Sequence, residues 1–253
     1  MVQTQTKMAD IAPKLQGLIQ QSPFTPINTR SLSWQTLVRE IEQVCLVDNE
    51  NGRMARGIRY ALEGNEQACK QEFEQVKAAL TGDMSIWLVN YVSVLLHLGL
   101  YREVNACLNQ YYQSVKTLGA LENVLQWATT TLRNFDLLDE LIRFMQQSGM
   151  DTPKLDMCMN ILQSIDQELH QPIHAANLEA LSFLYQQHIM PLSSHLEIDD
   201  DTVYLEYAIA HLDDHRFNQL DLDLKRHINR YLLDNYVAAK SRLVFTLTHG
   251  VEA

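Results

Sequence analysis

Along most of the chain apolar residues recur every three or four positions, the period of a helix that buries one face. Ile11, Leu15, Leu18 and Ile19 form a first stripe over residues 8–20, with Pro13 restricting where that helix starts. Pro23-Phe24-Thr25-Pro26 then interrupts helix twice. Trp34, Leu37, Ile41 and Val44/Cys45 line a second helix to about Leu46, capped by Ser31 or Ser33, and the cluster Asp48-Asn49-Glu50-Asn51-Gly52 reads as the turn that stops it. Further on, Trp87, Tyr91, Val94/Leu95 and Leu98 share a face, Gly99 ends their helix, and Val104, Cys107/Leu108, Tyr111 and Val115 line the return helix. Shifted back 35 residues, the return stripe falls on Cys69, Glu72/Phe73, Val76 and Leu80; shifted forward 34, it falls on Leu138, Leu141/Ile142, Met145 and Gly149. The forward copies of Trp87, Tyr91 and Leu98 are Leu121, Leu125 and Leu132. Three helical hairpins in tandem account for this spacing.

Beyond Thr152-Pro153 the step is lost, and two helices are expected over about 154–169 and 173–187, split by Pro172. The texture changes after Pro191. Val203, Leu205, Tyr207 and Ile209 alternate with Tyr204, Glu206 and Ala208, the pattern of a half-buried strand. His195-Leu196-Glu197-Ile198 can pair with it across Asp199-Asp200-Asp201, residues 217–236 read as a helix, and Leu243 to Thr248 alternate again. A small ββαβ unit fits this order; Tyr204, Ala208 and Leu212 also fit helix spacing, so more helical array is the competing reading. The expected fold is mainly α, a helical hairpin array with a small C-terminal ββαβ unit. Its divisions are an N-terminal arm over 1–32, a repeat-like domain over 33–190 and a C-terminal unit over 191–253.

The strings Glu63-Gly64-Asn65-Glu66-Gln67-Ala68 and Gly99-Leu100-Tyr101-Arg102-Glu103-Val104 resemble the turn of a tetratricopeptide repeat, a likeness that covers about 53–150. There a small residue ends the first helix, an aromatic packs, and an acidic-then-small pair opens the second. The chain departs from the pattern where Tyr91 replaces the small residue in the middle of the first helix, and where the first hairpin has a polar residue for the turn aromatic. The resemblance implies a groove lined by the first helices of the hairpins. Asn90, Ser93 and His97 share one such face and Asn123, Trp127 and Thr130 another, with Asn90 placed like the groove asparagine of peptide-binding members. The basic residues of a carboxylate clamp are missing, which argues against capture of a peptide C-terminus.

Composition narrows the function classes. The 253 residues carry 20 Lys+Arg against 31 Asp+Glu, a net charge of −11, which repels nucleic acid and anionic lipid and leaves a protein or peptide partner, basic if the charge is used. Cys45, Cys69, Cys107 and Cys158 form no CxxC pair, and with no signal-like start or membrane-length apolar run a cytoplasmic protein is expected. Phosphate-loop, dinucleotide, nucleophile-elbow and HExxH patterns are absent, and no cofactor is implied. His211 and His215 would offer zinc two imidazoles if their segment were helical; as a loop, Asp213 or Asp214 would cap the next helix instead. His170 and His174 share that spacing around Pro172 and read as surface histidines. Asp199 to Asp201 read as a solvated turn, and Asp221, Asp223, Lys225 and Arg226 as helix stabilisation. The leading expectation is a non-catalytic interaction scaffold, adaptor or regulator that binds a protein segment in a helical groove, its C-terminal unit either self-associating into a homo-oligomer or docking a second partner. The alternatives are an acidic, antitoxin-like inhibitor of a basic partner and a metal-dependent enzyme built on the histidines.

Overall fold

The computed structural model describes residues 2–210 and 212–250, with side chains from residue 7 onward, and it divides into two units, Met1–Ala120 and Leu121–Ala253. The described residues of the first unit form helices and the turns that connect them. Helix α1 (Val2–Ile19) continues through Pro13, which sits on its exposed side, while Ile11 and Leu15 are buried among Trp34, Leu37, Ile41 and Val44. One lost backbone bond on a solvated face is outweighed by two fully buried aliphatic side chains. Helix α2 (Leu32–Cys45) starts where Ser31 accepts the Trp34 N–H at 3.2 Å.

Helix α3 (Asn49–Leu62) corrects the expected turn at 48–52. Asp48 is its N-cap, accepting the Asn51 N–H, and Gly52 lies inside the helix against Cys45. Polar residues that favour turns also favour helix starts, and here the cap wins. Helices α4 (Glu66–Ala79), α5 (Ser85–His97) and α6 (Tyr101–Tyr111) follow. The predicted stripes are core: Cys69, Phe73, Val76, Trp87, Val104 and Leu108 are all buried. Trp87 Nε1 donates to the Phe73 carbonyl at 2.9 Å, and Phe73 stacks on Tyr91 with ring centres 4.9 Å apart. Arg56 ties three helices together, pairing with Glu42 of α2 and Glu72 of α4.

In the second unit, α7 (Leu118–Gln126), which begins just before the division, runs into a π-helical turn, Trp127–Thr131, and α8 (Phe135–Gln147) returns. Three hairpin turns now compare directly. Gly64 and Gly99 adopt φ of 73° and 70°, and Arg133 takes the equivalent left-handed place with φ 51°. In the first two turns the next residue bonds a carbonyl five residues back, Asn65 to Tyr60 and Leu100 to Leu95. In the third, Asn134 reaches Ala128, one residue further, because the π turn inserts an extra residue.

Helices α9 (Pro153–Ser164) and α10 (Gln167–Gln186) correct the expected break at Pro172. The break falls at Ile165-Asp166, and Pro172 lies within the first two turns of α10, where its missing donor removes a single bond. Strands β1 (Ser193–Asp199) and β2 (Thr202–Ile209) form a hairpin whose turn holds Asp200 at φ 50°. Helix α11 (Asp214–Asn235) then crosses to β3 (Leu243–His249), parallel to β2, giving sheet order β1-β2-β3. The ββαβ reading holds and the helical alternative falls. Val203, Leu205, Tyr207 and Ile209 are buried with Leu243, Phe245 and Leu247, so the alternation marks a true inner face. Asp221 of α11 pairs with Lys225 at 2.5 Å, as read from spacing, and also accepts the Leu247 N–H at 2.9 Å. It thereby occupies a backbone donor of β3 from outside the sheet.

Candidate functional site

The inner positions of α1, α3 and α5 enclose a cleft of about 350 Å³ in the first unit. From α5 it takes Ile86, Val89, Asn90, Ser93 and Val94; from α3, Asn51, Met54, Ala55 and Ile58. Ile86, Val89, Asn90 and Ser93 are the residues Asn51, Met54, Ala55 and Ile58 moved by the 35-residue step, so one helix face, used twice, makes two walls. The third wall is α1, through Met8, Leu15 and Ile19 with Ala12 and Gln16 at the rim. A second, wider hollow of about 760 Å³ lies between α1, the 20–31 connection and α2. Leu18 of α1, Leu32, Trp34 and Leu37 of α2 and the irregular 20–31 chain wall it, the charged Lys14–Glu40 pair stands beside them, and the repeat step does not map onto it.

Two of the predicted residues, Asn90 and Ser93, therefore line the cleft, but each is engaged with its own helix. Asn90 Nδ2 donates to the Ile86 carbonyl at 3.0 Å, and Ser93 Oγ to the Val89 carbonyl at 2.8 Å. Asn51 Nδ2 is likewise held by Asp48 at 2.8 Å. His97 is buried, and its Nδ1 lies 3.1 Å from the Ile19 carbonyl at the end of α1, a contact that joins α1 to α5. Burial holds the His97 imidazole below its ordinary pKa, so it is neutral at neutral pH. The wall contributed by α1 and the Met54 and Ile58 positions were not anticipated, although the same 35-residue shift applied to the cleft positions of α5 points to the latter.

The other three predicted residues lie in the second unit. Asn123 sits on α7, whereas Trp127 and Thr130 lie on the π turn, where regular three-and-four spacing is interrupted; Asn123, Trp127 and Thr130 are half-buried. The carbonyls loosened by that turn are met one by one by side chains. Arg133 donates to Thr129 O at 2.9 Å, Ser194 Oγ to Thr130 O at 2.9 Å and Asn177 Nδ2 to Thr131 O at 2.9 Å, while His174 Nδ1 lies 2.8 Å from Leu132 O. Tyr207 closes the set by donating to Asn177 Oδ1 at 2.8 Å. Arg133 is itself buried, held by the Ser194 carbonyl and hydroxyl, and desolvation lowers its pKa. This network connects the π turn, α10, β1 and β2, and its geometry is that of support.

The histidine expectations change. His170 and His174 are packed inward, not solvated: His170 lies 5.4 Å from the Phe135 ring centre and 3.4 Å from Asp136, and burial holds His174 below its ordinary pKa. An imidazole body packs well against a neighbouring helix when a carbonyl or carboxylate meets its nitrogen, which spacing alone does not reveal. His211 lies outside the described residues. Helix α11 begins at Asp214, after Asp213 has accepted the Arg216 N–H as N-cap, so no helix spans both His211 and His215. Among the described residues no group of three His, Cys, Asp or Glu side chains is placed to hold a metal ion. Cys69 and Cys107 are buried thiols pushed up to about 12, unsuited to nucleophilic work.

Charge is divided unevenly between the units. The first holds eleven Lys+Arg and eleven Asp+Glu; the second holds nine and twenty, so the whole net charge of −11 resides there. No described helix is long and apolar enough to cross a membrane. No known protein family, curated protein or solved structure matches the chain.

Proposed function

We propose that this chain is a protein-interaction scaffold in which a tetratricopeptide-like array receives a segment of a partner protein. The observation that carries the reading is the cleft among α1, α3 and α5, two of whose walls repeat one helix face at the 35-residue step and which the chain's own side chains leave unfilled. An apolar, solvent-open recess with a few polar groups on its walls is a surface suited to a ligand. The 35- and 34-residue steps and the three matching left-handed turns support the tetratricopeptide-like description. The test is affinity capture from source-cell lysate at low and moderate salt, comparing the wild type with Ile86→Arg. A stoichiometric partner retained by the wild type and lost by the variant is the expected result; a partner retained equally by both would place binding elsewhere.

A second reading is favoured by the charge division. A unit carrying all eleven excess negative charges is suited to a cationic protein surface, as in an acidic inhibitor. Its partner would release steeply as salt rises, because the attraction is screened within about 8 Å at physiological ionic strength. A cleft-bound partner would not.

A further inference from the structure

We infer that the cleft takes the apolar face of an amphipathic helix rather than an extended peptide, a conclusion that rests on the scaffold reading. An extended segment brings a row of backbone N–H and C=O groups that must be met on leaving water. The polar side chains in the cleft are few and partly committed: Asn51 Nδ2 donates to Asp48, Asn90 Nδ2 to the Ile86 carbonyl and Ser93 Oγ to the Val89 carbonyl, and with Gln16 at the rim they are too scattered to meet such a row. No charged residue lines the cleft, so a peptide terminus or charged side chain would be desolvated there without a counter-ion.

What remains is apolar and adaptable. Met8 and Met54 can reshape around an inserted side chain, and Ile86 stands 66% exposed at the mouth. A volume of about 350 Å³ has room for roughly twelve waters at about 30 Å³ each against largely aliphatic walls. A helix satisfies its own backbone and delivers apolar side chains at i, i+4 and i+7, which would displace that water. The chain supplies a precedent: Ile11 and Leu15 of α1, four residues apart, already enter the adjoining core in this way. Ala12 and Gln16, one turn apart on the exposed rim of α1, leave the mouth open.

The experiment uses the full chain and two fluorescent peptides of identical composition. One is a helical peptide of about five turns with leucines at i, i+4 and i+7; the other is the same residues reordered around central prolines so that no helix forms. Fluorescence anisotropy is expected to show saturable binding of the helical peptide and at least tenfold weaker binding of the extended one. Ala12→Trp, which closes the mouth from α1, and Ile86→Arg, which charges it, should each weaken the helical peptide at least tenfold, while Ile86→Leu retains it. Both altered positions are exposed, and an unchanged melting transition verifies folding. Equal binding of the two peptides, no binding of either, or indifference to both blocking variants overturns the inference. If a lysate partner is nonetheless lost from Ile86→Arg, the scaffold reading survives and only the helical nature of the ligand is refuted.

Discussion

Three glycines make opposite predictions for one substitution. An interior helical Gly→Ala change is worth about 1 kcal/mol of added stability when the new methyl group meets nothing. Gly17 of α1 is such a site, with no neighbouring atom within 4 Å of the added Cβ. At Gly52 the same atom would lie 2.5 Å from the Cα and 2.6 Å from the N of Cys45. Carbon atoms rest at about 3.5–4.0 Å, so the overlap is about 1 Å and falls on backbone that cannot rotate away. Helices α2 and α3 must separate, at an overpacking cost of about 3 kcal/mol, for a net loss near 2 kcal/mol. Gly57 is intermediate: its Cβ would meet the Phe73 ring at 2.7 Å, and that ring is buried and stacked on Tyr91, so a net loss of about 1 kcal/mol is expected. Thermal unfolding followed by far-UV circular dichroism is the assay. For a chain of this size about 1 kcal/mol moves the midpoint by about 2–4 °C. Gly17→Ala should therefore rise by that amount, and Gly52→Ala should fall by about 4–8 °C. A Gly52→Ala protein melting at or above wild type would refute the close approach of α2 and α3.

Further outcomes follow from the second unit and from the histidines. Arg133→Ala should cost about 3 kcal/mol by removing charge-assisted bonds to Thr129 and Ser194, while Arg133→Gly should recover about 1 kcal/mol of that because φ 51° is unstrained for glycine; urea midpoints measure both. Tyr207→Phe should cost about 1–2 kcal/mol by leaving Asn177 Oδ1 short of a donor inside the core, read in the same way. His97 and His174 have folded pKa values depressed by burial, so the unfolded chain binds more protons as the solution is acidified. Their contribution is complete above the ordinary histidine value of about 6.5 and is lost as pH falls through the depressed folded values. Unfolding midpoints should drop between about pH 7 and pH 5, and the drop should be shallower in His174→Gln; an identical slope in the variant would remove His174 from the account.

Much of the architecture was legible because it is local. Buried Cys69, Phe73, Val104, Leu108, Leu138 and Leu141 were assigned from period alone, since helix geometry itself puts such positions on one face. The alternation of Val203 to Ile209 announces a strand for the same reason. Boundaries were less legible. Asp48–Gly52 and Pro172 carry residue types that serve turns and helix starts alike, and only neighbours select between them.

Periodicity and turn chemistry by themselves determined a mainly helical chain, a 35- and 34-residue step and a terminal ββαβ unit, because each depends on residues within a few turns or one strand of each other. The tertiary structure alone decided that α1 walls the cleft, that His97 meets Ile19 and that Arg133 stands in a glycine's place supported by Ser194. Those contacts join residues up to 78 positions apart, and no local period encodes which surfaces meet. Helix formation is decided by near neighbours; a site is decided by which helices pack, a property of the whole hydrophobic core.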